Sequence, residues 1–222
     1  GFYYEPKLNR WEWQRARCLQ TVEDLYTQSF VLPYLVPMLE NAGANVLLPR
    51  ERDCQTAEII IDNDGCLNTN STYTEHTADK VWRQGTGKGF AHLRPQYIDF
   101  ENPFKEGTFR IAETVKKGKE STAEWIPEIP QNGQYAVYVS YQTVPNSSDD
   151  ALYTVYHKGG VSQFKVNQKM GGGTWVYLGT FGFDAGKSNA CKVTLSNRSA
   201  KAGQTVTADA VKIGGGMGNI AR

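Results

Sequence analysis

From residue 121 onward the chain is a succession of short runs rich in β-branched and aromatic residues, each closed by turn-forming residues, and this limits the possible folds more than any other feature. Residues 123–126 lead into a Pro- and Gly-containing turn at 127–133. Residues 135–141 (Tyr-Ala-Val-Tyr-Val-Ser-Tyr) form the clearest run, and 151–157, 160–167, 175–183, 191–197 and 206–213 follow. Such side chains suit a pleated, half-buried surface. Several short strands separated by turns at this spacing predict a mainly β fold, a β-sandwich or jelly roll. Trp175 and Tyr138 are expected to fill its interior. After residue 58 no 3.6-residue periodicity of useful length competes with this reading.

The residues just before these runs are less regular. Residues 58–62 read as a short apolar strand, and Asn63-Asp64-Gly65 is strong turn chemistry. Residues 68–80 are polar, Gly85, Gly87 and Gly89 suggest loop, and Lys116-Lys117-Gly118-Lys119-Glu120 reads as a solvated loop. Residues 21–41 have a helical pattern. Pro33 and Pro37 each remove an N–H, so a kink is expected, or a break with a new helix near Ser29. Gly43 ends this segment, and 46–48 follow as a short buried strand. Upstream, Trp11, Trp13, Arg15 and Arg17 suit a surface helix. The division expected is an N-terminal α/β fragment (1–57), a β-sandwich (58–213) and a Gly-rich linker (214–222).

A formal net charge of +1 supplies no basic patch for nucleic acid or an anionic membrane. No apolar run approaches the roughly 20 residues of a membrane helix. The opening Gly1-Phe2-Tyr3-Tyr4 has neither the basic region nor the apolar region of a signal peptide, as would also hold for a mature or excised chain. Cys18, Cys54, Cys66 and Cys191 include no CxxC pair. A Cys54–Cys66 bridge, buried free thiols and a zinc site all stay open.

Two groups of residues are candidates for a site. Asp62, Asp64 and Asp209 lie near the predicted first and last strands, where an oxygen-rich cluster suits calcium and its six to eight ligands. Equally, Asp62 and Asp64 serve as turn caps while Asp209 satisfies backbone donors. Trp82, Tyr97, Trp125, Tyr141 and His157 suit a platform for sugar rings, with Gln142 and Gln168 for hydroxyls, or else they belong to the core. Residues 182–188 imitate a phosphate loop but are one residue short and precede a strand. No Ser-His-Asp or Cys-His arrangement has local support.

Two resemblances sharpen these readings. Roughly residues 15–53, most clearly 39–53 with their helix-ending Gly43 and the closing Arg50-Glu51-Arg52-Asp53, resemble zinc-dependent N-acetylmuramoyl-L-alanine amidases. That resemblance implies zinc in an intact parent, with Glu23 as the matched ligand and Asp24 as the alternative register. The two histidine ligands of that family have no counterpart in context among His76, His92 and His157. The second resemblance runs over about residues 58–213. It is carried by Ile61-Asp62-Asn63-Asp64, Trp82, residues 123–130, residues 133–139, residues 153–160, residues 173–181 and Thr207-Ala208-Asp209-Ala210-Val211-Lys212. These are similar to the golvesin C-terminal-like domain, also found in xanthan lyases. It implies a galactose-binding-like β-sandwich attached to secreted, periplasmic or envelope enzymes. The expected role is a noncatalytic carbohydrate- or cell-wall-associated module, with polysaccharide or peptidoglycan and the remainder of a larger parent as partners. The alternatives are part of a zinc amidase with an inserted sandwich, and a purely architectural domain.

Overall fold

The computed structural model describes residues 2–13, 23–44, 46, 55, 57–67, 70–91 and 101–215. Its first element is a hairpin in which β1 (Phe2–Glu5) pairs with β2 (Arg10–Trp13). This replaces the surface helix expected around Trp11 and Trp13. Asn9 adopts a positive φ of 50°, a conformation Asn tolerates, and the chain turns back on itself there. Arg15 and Arg17 lie outside the described residues.

Helix α1 (Glu23–Phe30) and helix α2 (Val36–Asn41) flank a five-residue π-helical turn at Val31–Leu35. The expected interruption therefore takes the form of a wider turn, placed where Pro33 has no N–H for an α-helical ladder. Gly43, at φ 88°, closes the helix, with Ala44 N donating to Leu39 O at 3.0 Å and Gly43 N to Glu40 O at 2.9 Å. Of the expected strand at 46–48, only Val46 is described, and it is not in a strand.

The sandwich is built from β3 (Glu58–Ile61), β4 (Thr72–His76), β5 (Arg83–Gln84), β6 (Arg110–Glu113), β7 (Thr122–Ile126), β8 (Glu128–Ile129) and β9 (Gly133–Val139). It continues with β10 (Ala151–His157), β11 (Gly160–Val166), β12 (Val176–Phe183), β13 (Gly186–Lys187), β14 (Lys192–Ser196), β15 (Thr205–Ala208) and β16 (Val211–Gly214). One sheet has four strands in the order β12-β9-β16-β3, and the other has five in the order β11-β10-β14-β7-β4. A three-stranded ribbon, β15-β6-β5, and the short pair β13-β8 complete the fold. All these strand pairs are antiparallel.

Alternation puts Ile59, Ile61, Tyr135, Val137, Val139, Val211 and Ile213 of the four-stranded sheet against Ala123, Trp125, Tyr153, Val155, Val193 and Leu195 of the five-stranded one. Each of these is at most 2% exposed. The polar stretch 68–80 contains strand β4, on the edge of the five-stranded sheet, where exposed and half-buried residues alternate. The run 206–213 is two strands, separated at Asp209-Ala210, and they belong to different sheets. The loop at 116–120 is exposed, as its charge suggests. Cys66 and Cys191 are free thiols; Cys18 and Cys54 lie outside the described residues. No helix among the described residues is long and apolar enough to cross a membrane.

Candidate functional site on the open sheet face

A sandwich has two outward faces, and here one of them is covered. Ile60, Lys212, Tyr138 and Tyr177 form one register row across the outside of the four-stranded sheet. Phe90, Phe104 and Trp175 pack together over this side, with ring centroids 4.9–5.5 Å apart. Ile60, Lys212 and Tyr138 are consequently 1–6% exposed. The Lys212 ammonium sits 4.3 Å from the Tyr138 ring centroid, a cation–π contact. Tyr138 and Trp175 thus fill a cover outside the sandwich, not its interior. The covering segment is pinned by Gly89 and Gly107, whose backbones exchange hydrogen bonds of 2.8 and 3.0 Å.

The outer face of the five-stranded sheet has no such cover among the described residues. Its middle row reads Gln163, Thr154, Thr194, Glu124, Thr74 across β11, β10, β14, β7 and β4. A neighbouring row contains Lys165, Leu152, Ser196, Thr122 and His76, and on the other side Val161, Tyr156 and Lys192 are aligned. The alternate residues of these strands are the core side chains above, which fixes the direction of this set. Lys192 Nζ lies 2.5 Å from Glu124 Oε2 and 5.3 Å from the Tyr156 ring centroid, while His76 Nε2 is 4.0 Å from Glu124 Oε1. The Lys192 and Glu124 side chains are only 19% and 12% exposed, so they are held in place instead of sweeping through solvent. The result is a polar surface with one aromatic ring and one fixed ion pair, in which Thr154 and Ser196 are buried and Thr194, Thr74 and Gln163 remain accessible, suited to a neutral or weakly charged polar ligand.

The residues singled out from sequence fall elsewhere. Trp125, Tyr141 and Trp82 are 0%, 2% and 3% exposed and offer no face to a sugar ring. Trp125 donates its indole N–H to Asp209 O at 3.2 Å, and the Tyr141 hydroxyl donates to Met170 O at 2.7 Å. Gln168 is fully buried and binds the Thr207 backbone and the Tyr153 hydroxyl; Gln142 donates to Asp209. His157 is half-buried at the end of β10, with Nε2 3.0 Å from Ser162 Oγ and its ring 4.7 Å from that of Phe181. Tyr97 lies outside the described residues. Tyr156, Lys192 and Glu124 escaped the sequence reading because their proximity depends on register.

Of the acidic candidates, Asp62, Asp64 and Asp209 lie close enough to act on one another electrostatically. Glu23 opens α1, and among the described residues no three His, Cys, Asp or Glu side chains form a metal-binding group. Asp64 accepts hydrogen bonds from the Thr108 backbone N–H and hydroxyl, which ties the turn to the following segment. Asp209, 0% exposed, accepts from Phe90 N at 3.1 Å through both oxygens and from Gln142 Nε2 at 3.3 Å. Asp62 is 1% exposed, and its carboxylate has no side-chain hydrogen-bond partner; only the backbone N–H groups of Asn63 and Asp64 approach it, in poor geometry. Burial, reinforced by the negative charges of Asp209 and Asp64, pushes the Asp62 acid up to about 9. Burial likewise pushes Asp209 up to about 8, against the opposing effect of the Phe90 and Gln142 donors.

Residues 103–215, half of the chain and most of both sheets, match the Golvesin C-terminal domain. The chain belongs to that family. The golvesin domain is also similar to a xanthan lyase of Bacillus sp. (strain GL1), with 33% identity over 96 residues, which make up 43% of this chain and 10% of that protein. A solved Paenibacillus xanthan lyase superposes with a TM-score of 0.51 at 24% identity, covering 72% of this chain and 13% of that one. That likeness is one of fold. The golvesin domain spans about a tenth of the length of these relatives.

Proposed function

We propose that the golvesin domain is a noncatalytic module that binds polysaccharide on the open face of its five-stranded sheet and so holds the rest of a parent protein near that substrate. The observation that carries this reading is the fixed Tyr156–Lys192–Glu124 group, set beside the half-buried Thr194 and the exposed Thr74. A sugar ring has an apolar face that packs on an aromatic ring and hydroxyls that bond to held polar groups. The xanthan lyase relatives support a polysaccharide ligand, and with it a secreted or envelope location. Peptidoglycan is the second ligand of interest, since residues 39–53 resemble a peptidoglycan amidase.

The test is equilibrium binding of the purified chain to xanthan and to insoluble peptidoglycan, alongside Tyr156→Ala and Lys192→Met. Saturable binding to one of them, weakened about tenfold or more by either change, is expected, because truncated anchor residues of a binding site cost about 1.4 kcal/mol or more. Binding to neither polymer, or binding untouched by both changes, refutes the assignment and leaves a purely architectural domain in front.

A further inference from the structure

Asp62 follows directly on Ile61, which pairs with Val211 of β16, and Asp209 lies two residues before Val211. The two acids therefore meet at the same end of the β3–β16 pair, where the first strand of the sandwich joins the last. Both side chains are at most 1% exposed. Asn63 follows Asp62 in the chain: its amide nitrogen donates to Thr108 Oγ1 at 3.0 Å, and its side-chain oxygen is buried with no hydrogen-bond partner. The Asn63 side-chain oxygen thus lacks a donor, and the Asp62 carboxylate has no side-chain partner and meets only the neighbouring backbone N–H groups of Asn63 and Asp64, in poor hydrogen-bond geometry. Among the described residues no Lys or Arg pairs with Asp62 or Asp209, and the charged group acting on both, Asp64, is itself negative. Its own oxygens are engaged with Thr108.

Buried charge without a partner is costly, and a native chain neutralises it with a proton or a cation. We propose that Asp62 and Asp209, with the side-chain oxygen of Asn63, bind a divalent cation of calcium type that clamps the first strand of the sandwich to the last. Two carboxylates supply the two negative charges that such an ion neutralises. The donor set is all oxygen, as hard cations require, and remaining positions suit water or backbone carbonyls. Phe90 N–H and the Gln142 amide hold the Asp209 carboxylate in orientation, as outer-shell donors do around metal ligands. The trio expected from sequence is thereby replaced by two acids and an amide, with Asp64 acting on the loop instead.

Terbium luminescence on the whole chain tests the site, because the Trp125 indole donates to the Asp209 carbonyl and so stands close enough to sensitise the ion. The expected result is saturable luminescence that calcium displaces, and a Tm at least ~5 °C higher in millimolar calcium than in excess EGTA. The double change Asp62→Asn with Asp209→Asn is expected to abolish both responses. No saturable luminescence, together with equal Tm values with and without calcium, would overturn the proposal and assign protons to the two acids. Retention of both responses in the double variant would overturn it too. Should that variant fail to fold, the wild-type titrations decide alone.

Discussion

Asp62 and Asp209 illustrate how far a single residue's neighbourhood departs from its chemistry in water. In the unfolded chain both acids ionise near 3.8, whereas in the fold with no cation bound burial pushes them up to about 9 and about 8. Between these limits the folded state binds more protons than the unfolded one. The stabilising effect is complete below pH 4 and is lost as pH rises through the window toward 8–9. In EGTA, the urea midpoint of the wild-type chain is therefore expected to fall steadily from pH 5 to pH 8, and Asp62→Asn should flatten roughly half of that slope. A wild-type midpoint that stays level across this range would show that the acids are not desolvated as described. The carboxylate of Asp149 is held down to about 2 by Lys169 and Lys201, so its titration lies below the window and does not mask the slope.

At the scale of elements, the fold depends on a covering segment that no hydrophobic pattern announces. Gly107 carries no side chain because a Cβ there would lie 1.9 Å from the Phe90 carbonyl oxygen and 2.6 Å from Asp64 Oδ2. Gly107→Ala is expected to destabilise the chain by roughly 2–4 kcal/mol and to lift the cover off Ile60 and Tyr138, increasing dye binding to apolar surface. Gly182→Ala, whose nearest neighbour is the mobile end of Gln134 at 3.3 Å, serves as the control and should cost less than about 1 kcal/mol. Equal midpoints for the two variants in urea unfolding would remove the segment's role. Much of this architecture was legible: the run at 151–157 is β10, residue for residue, because it is an unbroken stretch of β-branched, aromatic and apolar side chains closed by the turn at Lys158-Gly159. The break at Asp209 was hidden, since a strand that leaves one sheet for another keeps the same β-branched composition on both sides. Strand β4 was hidden for a different reason: an edge strand with one solvated face reads as polar loop. Lys192 and Glu124 stand 68 residues apart, and only the pairing of β14 with β7 brings them together.

At the scale of the whole molecule, the family match and the folded unit have different limits. The match begins at residue 103, yet β3 and β4 precede it and form one edge of each sheet. β3 contributes Ile59 and Ile61 to the core, 2% and 0% exposed, and Ile60 to the covered outer face at 6%. Each buried isoleucine side chain stabilises the fold by roughly 1.5–3 kcal/mol. Removing the strand also strips β16 of the partner that pairs with Val211, Lys212 and Ile213, and loss of β4 removes the Tyr73 ring packed 5.4 Å from that of Trp125, uncovering the tryptophan. The isolated strand burial approaches the whole stability of a typical domain, roughly 5–15 kcal/mol. A chain cut to residues 103–215 is therefore expected to be unfolded or aggregated, whereas one cut to 55–215 should keep a cooperative transition in urea with a midpoint near that of the full chain. Cooperative unfolding of the 103–215 piece by circular dichroism would mean that the two sheets close without their first strands and that the clamp between β3 and β16 is dispensable.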